Sequence, residues 1–124
     1  MRLSEANIKE WSEALIAREL MVADETIIEH TAGDCWEVMS QTRGNIFFTE
    51  KAVIFIGGLA GCIAYRFPYD KIQEVKKCNV GGLIKLMPTG IKITYENEDG
   101  KIKKARLSVL KRKNWIEYIN GKLQ

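Results

Sequence analysis

The chain has few of the residues that build covalent or metal cross-links. Its 124 residues include three cysteines, Cys35, Cys62 and Cys78, and a single histidine, His30. The odd number and wide spacing of the cysteines argue against a disulfide framework and against paired Cys-x-x-Cys zinc ligands. We therefore expect buried or half-buried thiols on strands, with no metal site and no cofactor.

Long apolar runs are also missing. No stretch approaches the ~18 uninterrupted apolar residues that a membrane span requires, and the segment Met1–Asn7 lacks the apolar run of a signal peptide. We therefore expect a cytoplasmic protein without a transmembrane segment. The length and the 46% apolar composition suit one domain with an ordinary core, and 28% charged residues argue against wholesale disorder.

The chain shows no catalytic constellation. No Gly-x-Ser-x-Gly sequence is present, and nothing near Cys35 and His30 indicates a thiol with a lowered pKa. Residues 57–61 contain the glycines of a phosphate loop. However, a strand pattern follows them, so no helix N-terminus would hold a pyrophosphate. We therefore expect that the protein is not an enzyme.

Charge is unevenly distributed between the two halves of the chain. Residues 1–62 carry 5 Lys or Arg and 10 Asp or Glu, a net charge of −5, whereas residues 63–124 carry 14 and 6, a net charge of +8. Such asymmetry is typical of a protein that binds an anionic partner. It is equally typical of strands that expose cations on their solvent faces.

An amphipathic helix is predicted over residues 4–22. Ile8, Trp11 and Leu15 recur at helical spacing, and either Ser4 or Asn7 supplies the N-cap. This helix either docks on its own domain or packs against another chain. Its acidic polar face disfavours a membrane-surface helix.

The period changes to that of strands from residue 26. We expect a first strand interrupted by a turn at residues 31–34, and a flexible connector at residues 57–61. The further strands are expected at residues 45–49, 52–56, 62–67, 72–79, 91–96 and 102–109, with no clear strand pattern between residues 81 and 90. The turn before the last strand contains Asp99-Gly100, a strong hairpin signal.

A second helix is predicted to begin near Lys111 and to end at Asn120-Gly121, where the glycine suits a left-handed C-cap. Its apolar stripe contains Trp115, Ile119 and Leu123, which are spaced four residues apart.

The order of these elements resembles the pleckstrin-homology (PH) superfold. The sequence is most similar to the GRAM family and its bacterial PH-like relatives in four pieces: the strand pair 44–57, the segment 67–75, the hairpin at Asp99-Gly100 and the helix with Trp115. The resemblance implies a mainly β (α+β) fold. It comprises a seven-stranded antiparallel split barrel capped by a C-terminal helix, with an additional N-terminal helix.

The resemblance also implies a division of the chain and a core. Residues 1–24 would form the N-terminal helix, and residues 25–124 the PH/GRAM-like domain. The expected structural core contains Phe48, Phe55, Trp115 and Ile119, with Trp115 as the stopper of the open barrel end.

The function implied by the resemblance is a non-catalytic binding or adaptor module that recognises a protein partner, including another copy of itself. An edge strand or the N-terminal helix would make the contact. The alternative is peripheral binding of anionic lipid or of a phosphorylated ligand through the basic C-terminal half. A nucleic-acid partner is disfavoured because the chain has no RNP-like motif, zinc finger or helix-turn-helix.

The candidate anion-binding residues follow from the positions of the cations. Three of them fall in the first turn of the last helix, at the positive end of its dipole, where phosphate groups commonly bind. The candidates are Lys103, Lys104, Arg106, Lys111, Arg112 and Lys113. The loop at residues 40–44, where phosphoinositide-binding PH domains carry several cations, has only Arg43.

Overall fold

The computed structural model describes residues 4–37, 40–81 and 87–123. In these ranges the chain forms seven strands between two helices. The elements are α1 Glu5–Ala17, β1 Ile27–Glu37, β2 Ser40–Thr49, β3 Ala52–Gly57, β4 Ile63–Pro68, β5 Ile72–Val80, β6 Met87–Glu96, β7 Ile102–Val109 and α2 Arg112–Leu123. Single 3₁₀ turns, Leu59–Gly61 and Tyr69–Lys71, join β3 to β4 and β4 to β5. Most of the segment without a clear strand pattern, residues 82–86, lies outside the described residues.

The strands form one antiparallel sheet in the order β4-β3-β2-β1-β7-β6-β5. Strand β1 pairs with β2 along its length and with β7 over residues 33–36, so it joins the first hairpin, β1–β2, to the last one, β6–β7. Strands β4 and β5 are the edges of the described sheet. The prediction of a mainly β fold with seven antiparallel strands and a helix at each end is confirmed.

The prediction of a turn at residues 31–34 is wrong, because β1 is continuous through them. Gly33 pairs with both Gly44 and Val109, at the point where β1 contacts both of its neighbours. A Cβ atom here would lie 2.6 Å from Ile46 Cδ1 and 2.8 Å from the Ser108 carbonyl oxygen. The glycine therefore allows β1 and β7 to approach each other closely, and it does not form a turn.

Helix α1 ends earlier than the sequence pattern predicts. Ser4 is its N-cap and accepts a 3.2 Å hydrogen bond from the Asn7 amide. At the other end, Glu19 adopts a positive φ of 61° and the Leu20 amide donates to the Leu15 carbonyl. This is a Schellman arrangement with glutamate where glycine is usual, so no glycine marked the end.

Helix α2 also differs from its predicted C-terminus. The helix continues through Gly121 to Leu123, whose side chain packs against the barrel core. Burial of Leu123 extends the helix by a turn, so the expected left-handed cap at Gly121 is wrong. With 13 and 12 residues, neither helix in the described ranges has the length and apolar character needed to cross a membrane.

Two apolar clusters lie on opposite faces of the sheet. The barrel core contains Phe48 and Phe55, both at most 1% exposed, and α2 adds buried Ile119 and half-buried Trp115. A second cluster covers the outer face of β2 and β3, where Leu15 of α1 is fully buried. Helix α1 therefore docks on its own sheet, which was one of the two alternatives drawn from its sequence.

A buried carboxylate anchors the segment between α1 and β1. Glu25 accepts hydrogen bonds from Thr49 Oγ1, from the Val22 amide and from Arg66 Nη1, which lies 2.9 Å from its Oε2. Burial raises the pKa of Glu25, but the hydrogen bonds from Arg66, Thr49 and Val22 outweigh it, so the net pKa is lowered. The charged network ties the end of α1 to β4.

Candidate binding surfaces

The outer wall of β5, β6 and β7 carries a row of cations. Side chains alternate along these strands, and Ile91, Ile93 and Leu107 point into the barrel. The residues between them point outward. Arg106 of β7 lies opposite Lys92 of β6, and Lys92 lies opposite Lys76 of β5. Three positive side chains therefore cross the sheet side by side.

This arrangement costs stability, because like charges directly opposite one another on a sheet repel. Within the described residues, Lys76 has a carboxylate neighbour, with its Nζ 3.3 Å from Glu74 Oε2, whereas Lys92 and Arg106 form no ion pair. We refer to Lys76, Lys92, Lys104 and Arg106 as the basic wall. A row of cations that is compensated at Lys76 alone within the described residues is suited to an anionic partner.

The six predicted anion-binding residues fall into two groups. Lys103 and Lys104 open β7 on opposite faces of the strand, since Ala105 and Leu107 face the core in step with Lys103. Lys104 and Arg106 share the outer face. Lys104 lies five strand residues before Val109, a separation of about 17 Å along the strand. The hairpin lysines and the start of α2 therefore do not form one pocket.

At the start of α2 the three cations have different environments. Arg112 is half-buried and donates to the carbonyl oxygens of Cys78, at 2.9 Å, and Gly90, at 3.4 Å. Its guanidinium holds the bulged ends of β5 and β6 together. Lys111, in a left-handed conformation with φ 56°, and Lys113 are exposed. Only these two cations of the group are directed to solvent.

Lys76 and Lys92 belong to the charged row but were not among the predicted site residues. Each occupies an outward position on its strand. The alternation of side chains between the two faces of a strand is enough to indicate this position. Their juxtaposition with Arg106 depends on the register between three strands. The register could be inferred for β6 and β7 from the Asp99-Gly100 turn, but the connection from β5 to β6 gave no comparable signal.

Strand β5 is an edge of the described sheet and pairs with β6 alone. It is nine residues long, and Lys76 and Lys77 are both exposed although they point to opposite faces. Within the described part of the chain, the middle of β5 therefore presents backbone groups and two lysines at the sheet margin. The middle of an unpaired edge strand is a template for an added strand.

Tyr65 and Tyr95 are half-buried tyrosines that pack against the barrel core. Tyr65 donates a 3.1 Å hydrogen bond to Glu37 Oε1 and stacks on Phe67. Burial and the neighbouring Glu37 carboxylate raise the pKa of Tyr65 to about 12. Burial likewise raises the pKa of the Cys35 thiol to about 11, with a contribution from Glu37. Cys35 is therefore protonated at neutral pH, unlike a catalytic cysteine.

In the described ranges, no three His, Cys, Asp or Glu side chains converge in a way that could hold a metal ion.

Comparison with solved structures identifies the fold. The C-terminal domain of an unknown protein from Leishmania infantum superposes with a TM-score of 0.69 at 16% identity, covering 93% of this chain and 95% of that one. The Vps36 N-terminal PH domain gives a TM-score of 0.60 at 16% identity, covering 83% and 82%. This chain has a PH-like fold.

The same PH-like fold occurs within larger chains. The DH/PH fragment of PDZRHOGEF in complex with human RhoA gives a TM-score of 0.64 at 9% identity, covering 90% of this chain and 32% of that one. No protein-family model and no curated protein matches the sequence. At these identities the structural likeness establishes the fold alone.

Proposed function

We propose that this chain is a non-catalytic binding module that recognises an acidic, extended segment of a protein partner along β5. The observation that carries this proposal is the nine-residue β5 edge of the described sheet, next to the row of Lys76, Lys92 and Arg106. Backbone hydrogen bonds along the edge would supply affinity, and the cations would select an acidic sequence.

The edge lysines distinguish between kinds of partner. Lysine on an edge strand is one of the devices that discourage edge-to-edge pairing with a second copy of the same strand. It favours a strand with Asp or Glu at alternate positions, which would lie near Lys76. The proposal therefore specifies a different protein and not self-association through β5.

The fold and the thiols also support this proposal. One structural neighbour is a DH/PH fragment in a complex with RhoA, so a PH-like domain occurs in a protein assembly. The raised pKa of Cys35 opposes a thiol enzyme. We further propose GRAM-type family membership, on the four sequence pieces above, and a cytoplasmic location, since neither Cys35 nor Cys62 is in a disulfide.

A random peptide library tests this function and reveals the kind of sequence that binds. Selection on the folded chain is expected to enrich extended peptides with alternating acidic residues. Lys76→Glu should weaken their binding at least about tenfold, because a favourable charge contact becomes repulsive. Lys9→Glu in α1 is the matched control, since Lys9 is also exposed and α1 docks on β2 and β3, which are not neighbours of β5 in the sheet. Enrichment of basic or purely apolar peptides would contradict the proposal.

The second candidate function is peripheral attachment to an anionic lipid surface. The basic wall favours it, because adjacent outward-facing cations attract anionic membranes. Sedimentation with phosphatidylserine vesicles separates the two candidates. Binding that weakens with salt and with Lys92→Glu supports the lipid surface, whereas vesicle-independent binding of acidic peptides supports the protein partner.

A further inference from the structure

Part of the outer face of the sheet is covered by neither helix. Helix α1 packs on the outer face of β2 and β3, and α2 packs against the barrel core on the other side of the sheet. Among the described residues, the outer face of β7, β6 and the second half of β1 therefore has side chains of the sheet itself as its surface.

Trp36 of β1 lies on this uncovered face, because its neighbour Cys35 points into the core. The indole Nε1 of Trp36 donates a 2.9 Å hydrogen bond to Ser108 Oγ on β7. Trp36 lies directly opposite Arg106, two residues before Ser108, so the ring leans over the sheet along β7. Ser108 points outward but is only 7% exposed, as expected beneath an indole, and Trp36 itself is half-buried. One face of the indole is thus held against the sheet, and the other is directed to solvent.

The basic wall continues directly from Trp36. Arg106 lies opposite Trp36 on β7, and Lys92 lies opposite Arg106 on β6. Because neighbouring strands are about 4.8 Å apart, the two cations are about 5 Å and about 10 Å from Trp36 across the sheet. Lys104 shares the outer face of β7, two residues before Arg106. We refer to Trp36, Lys92, Lys104 and Arg106 as the aromatic-basic patch.

The carboxylates on this outer face do not neutralise the patch. Each of the three that the described strands carry there has a cation outside the patch beside it. The pairs are Asp34 with Arg43 directly opposite on β2, Glu74 with Lys76, and Glu96 with Lys71. Within the described residues, the three cations of the patch form no ion pair. Their charge therefore remains available to an anionic ligand.

We propose that the aromatic-basic patch binds single-stranded nucleic acid, with a base stacked on Trp36 and the adjoining phosphates bound by the three cations. Stacking of bases on aromatic side chains beside a positively charged surface holds single strands without sequence preference. The indole lies flat on the sheet, so only a base that is free of a duplex can stack on it.

The indole distinguishes this ligand from the acidic strand and the anionic membrane considered above. An acidic strand on β5 would pair with the backbone of the sheet edge, and Trp36 lies three strands away from that edge. A membrane surface would be met by apolar side chains that insert into it, whereas this indole is held against Ser108. The proposal is thus independent of the proposed protein-binding function.

Sequence motifs gave no indication of this site. The chain lacks the RNP-like, zinc-finger and helix-turn-helix motifs on which a nucleic-acid partner was disfavoured. The patch is instead formed by the register of β1 with β7 and of β7 with β6. Trp36 also lies in the acidic half of the sequence, far along the chain from the cations that it joins.

The test uses the full chain and three fluorescein-labelled strands of about ten nucleotides: oligouridine, oligothymidine and an abasic strand with the same number of phosphates. Fluorescence anisotropy measures each affinity between about 50 and about 200 mM salt. Trp36→Leu removes the aromatic ring, Trp36→Phe retains one, and Arg106→Gln removes one cation. Lys9→Gln is the matched control, since it removes an exposed cation of α1.

We expect at least one natural strand to bind at least about tenfold more tightly than the abasic strand, because only the natural strand has bases to stack. Trp36→Leu should abolish this difference, Trp36→Phe should retain part of it, and Lys9→Gln should change nothing. Three phosphate contacts predict that the logarithm of the affinity falls with the logarithm of the salt concentration with a slope of about −2. The slope should become about 0.7 less steep in Arg106→Gln.

Tighter binding of oligouridine would identify RNA as the ligand, and tighter binding of oligothymidine would identify DNA. The proposal would be overturned by the absence of binding at about 50 mM salt, or by equal binding of the abasic and natural strands. A preference for the natural strand that persists in Trp36→Leu would also overturn it. The comparison with the abasic strand uses the unaltered chain, so it remains decisive even where Trp36→Leu does not fold.

Discussion

The indole ring of Trp115 stacks on the phenyl ring of Phe48, with ring centroids 4.4 Å apart and planes inclined by only 3°. Tyr118 meets both rings edge-on, at 5.3 Å from Phe48 and 5.9 Å from Trp115. This aromatic group joins α2 to the end of β2, so the last helix closes one end of the split barrel.

Truncation of the Trp115 side chain should destabilise the fold. We expect Trp115→Ala to lower the free energy of unfolding by about 3 kcal/mol. This value is at the lower end of the range for truncation of a large aromatic side chain, because the indole is half-buried. The melting temperature should then fall by about 10 °C. Trp115→Phe retains a ring against Phe48 and should cost clearly less. A change of only a degree in Trp115→Ala would contradict the stopper role.

The buried Glu25 carboxylate predicts a dependence of stability on pH. Its folded-state pKa is lowered from the ordinary value of 4.5 by hydrogen bonds from Arg66, Thr49 and the Val22 amide, which exceed the effect of burial. A depressed folded-state pKa stabilises the fold above the unfolded-state pKa. That contribution is lost as the pH falls through the folded-state value.

Glu25→Gln should therefore cost about 3 kcal/mol at neutral pH, because it leaves the Arg66 charge without its partner. Urea unfolding of both proteins from pH 7 down to pH 3 measures the difference. The difference between the two proteins should shrink as the pH falls toward the lowered folded-state pKa of Glu25. A difference that stays constant with pH would show that the carboxylate charge does not stabilise the fold.

Thiol reactivity should differ sharply between cysteines. Cys62 is exposed, whereas Cys35 is buried and its pKa is raised to about 11, first by burial and then by Glu37. At pH 8, a disulfide reagent should label Cys62 rapidly and Cys35 only after unfolding. Cys62→Ser should remove the phase that belongs to Cys62, and Cys35→Ser should leave that phase intact. Rapid labelling of Cys35 in the folded protein would contradict this assignment.

Reversal of charge in the basic wall should raise stability. Lys92 lies between Arg106 and Lys76, so Lys92→Glu converts two repulsive neighbours into attractive ones and should add about 0.5 kcal/mol. The gain should shrink at high salt. Denaturant unfolding at two salt concentrations measures both effects. Destabilisation by Lys92→Glu would indicate that the lysine side chain makes a structural contact.

The sequence was most informative where local signals and packing agree. Alternating apolar residues around Glu50-Lys51 located β2 and β3, and the Asp99-Gly100 turn located β6 and β7. The polar loop after Asn97 folds as expected, with the Gly100 amide donating to the Asn97 carbonyl at 3.0 Å. Here local backbone preference and burial require the same conformation.

Tertiary contacts decided the remaining features. Gly33 was interpreted as a turn glycine, but it permits the close approach of Ser108. Glu19 ends α1 in a conformation that few non-glycine residues adopt, and Leu123 extends α2 past Gly121. The docking of α1 on the outer face of β2 and β3 is also a tertiary feature, which local periodicity does not specify.

Hydrogen exchange at β5 tests the central claim most directly, namely that this edge receives an acidic strand. Exchange of the backbone amides is followed by mass spectrometry with and without a library-selected acidic peptide. We predict slower exchange in peptides that cover residues 72–80, unchanged exchange in β4, and no slowing with Lys76→Glu. Slowing confined to α1, β4 or the loop at residues 57–61, with β5 unchanged, would contradict the claim.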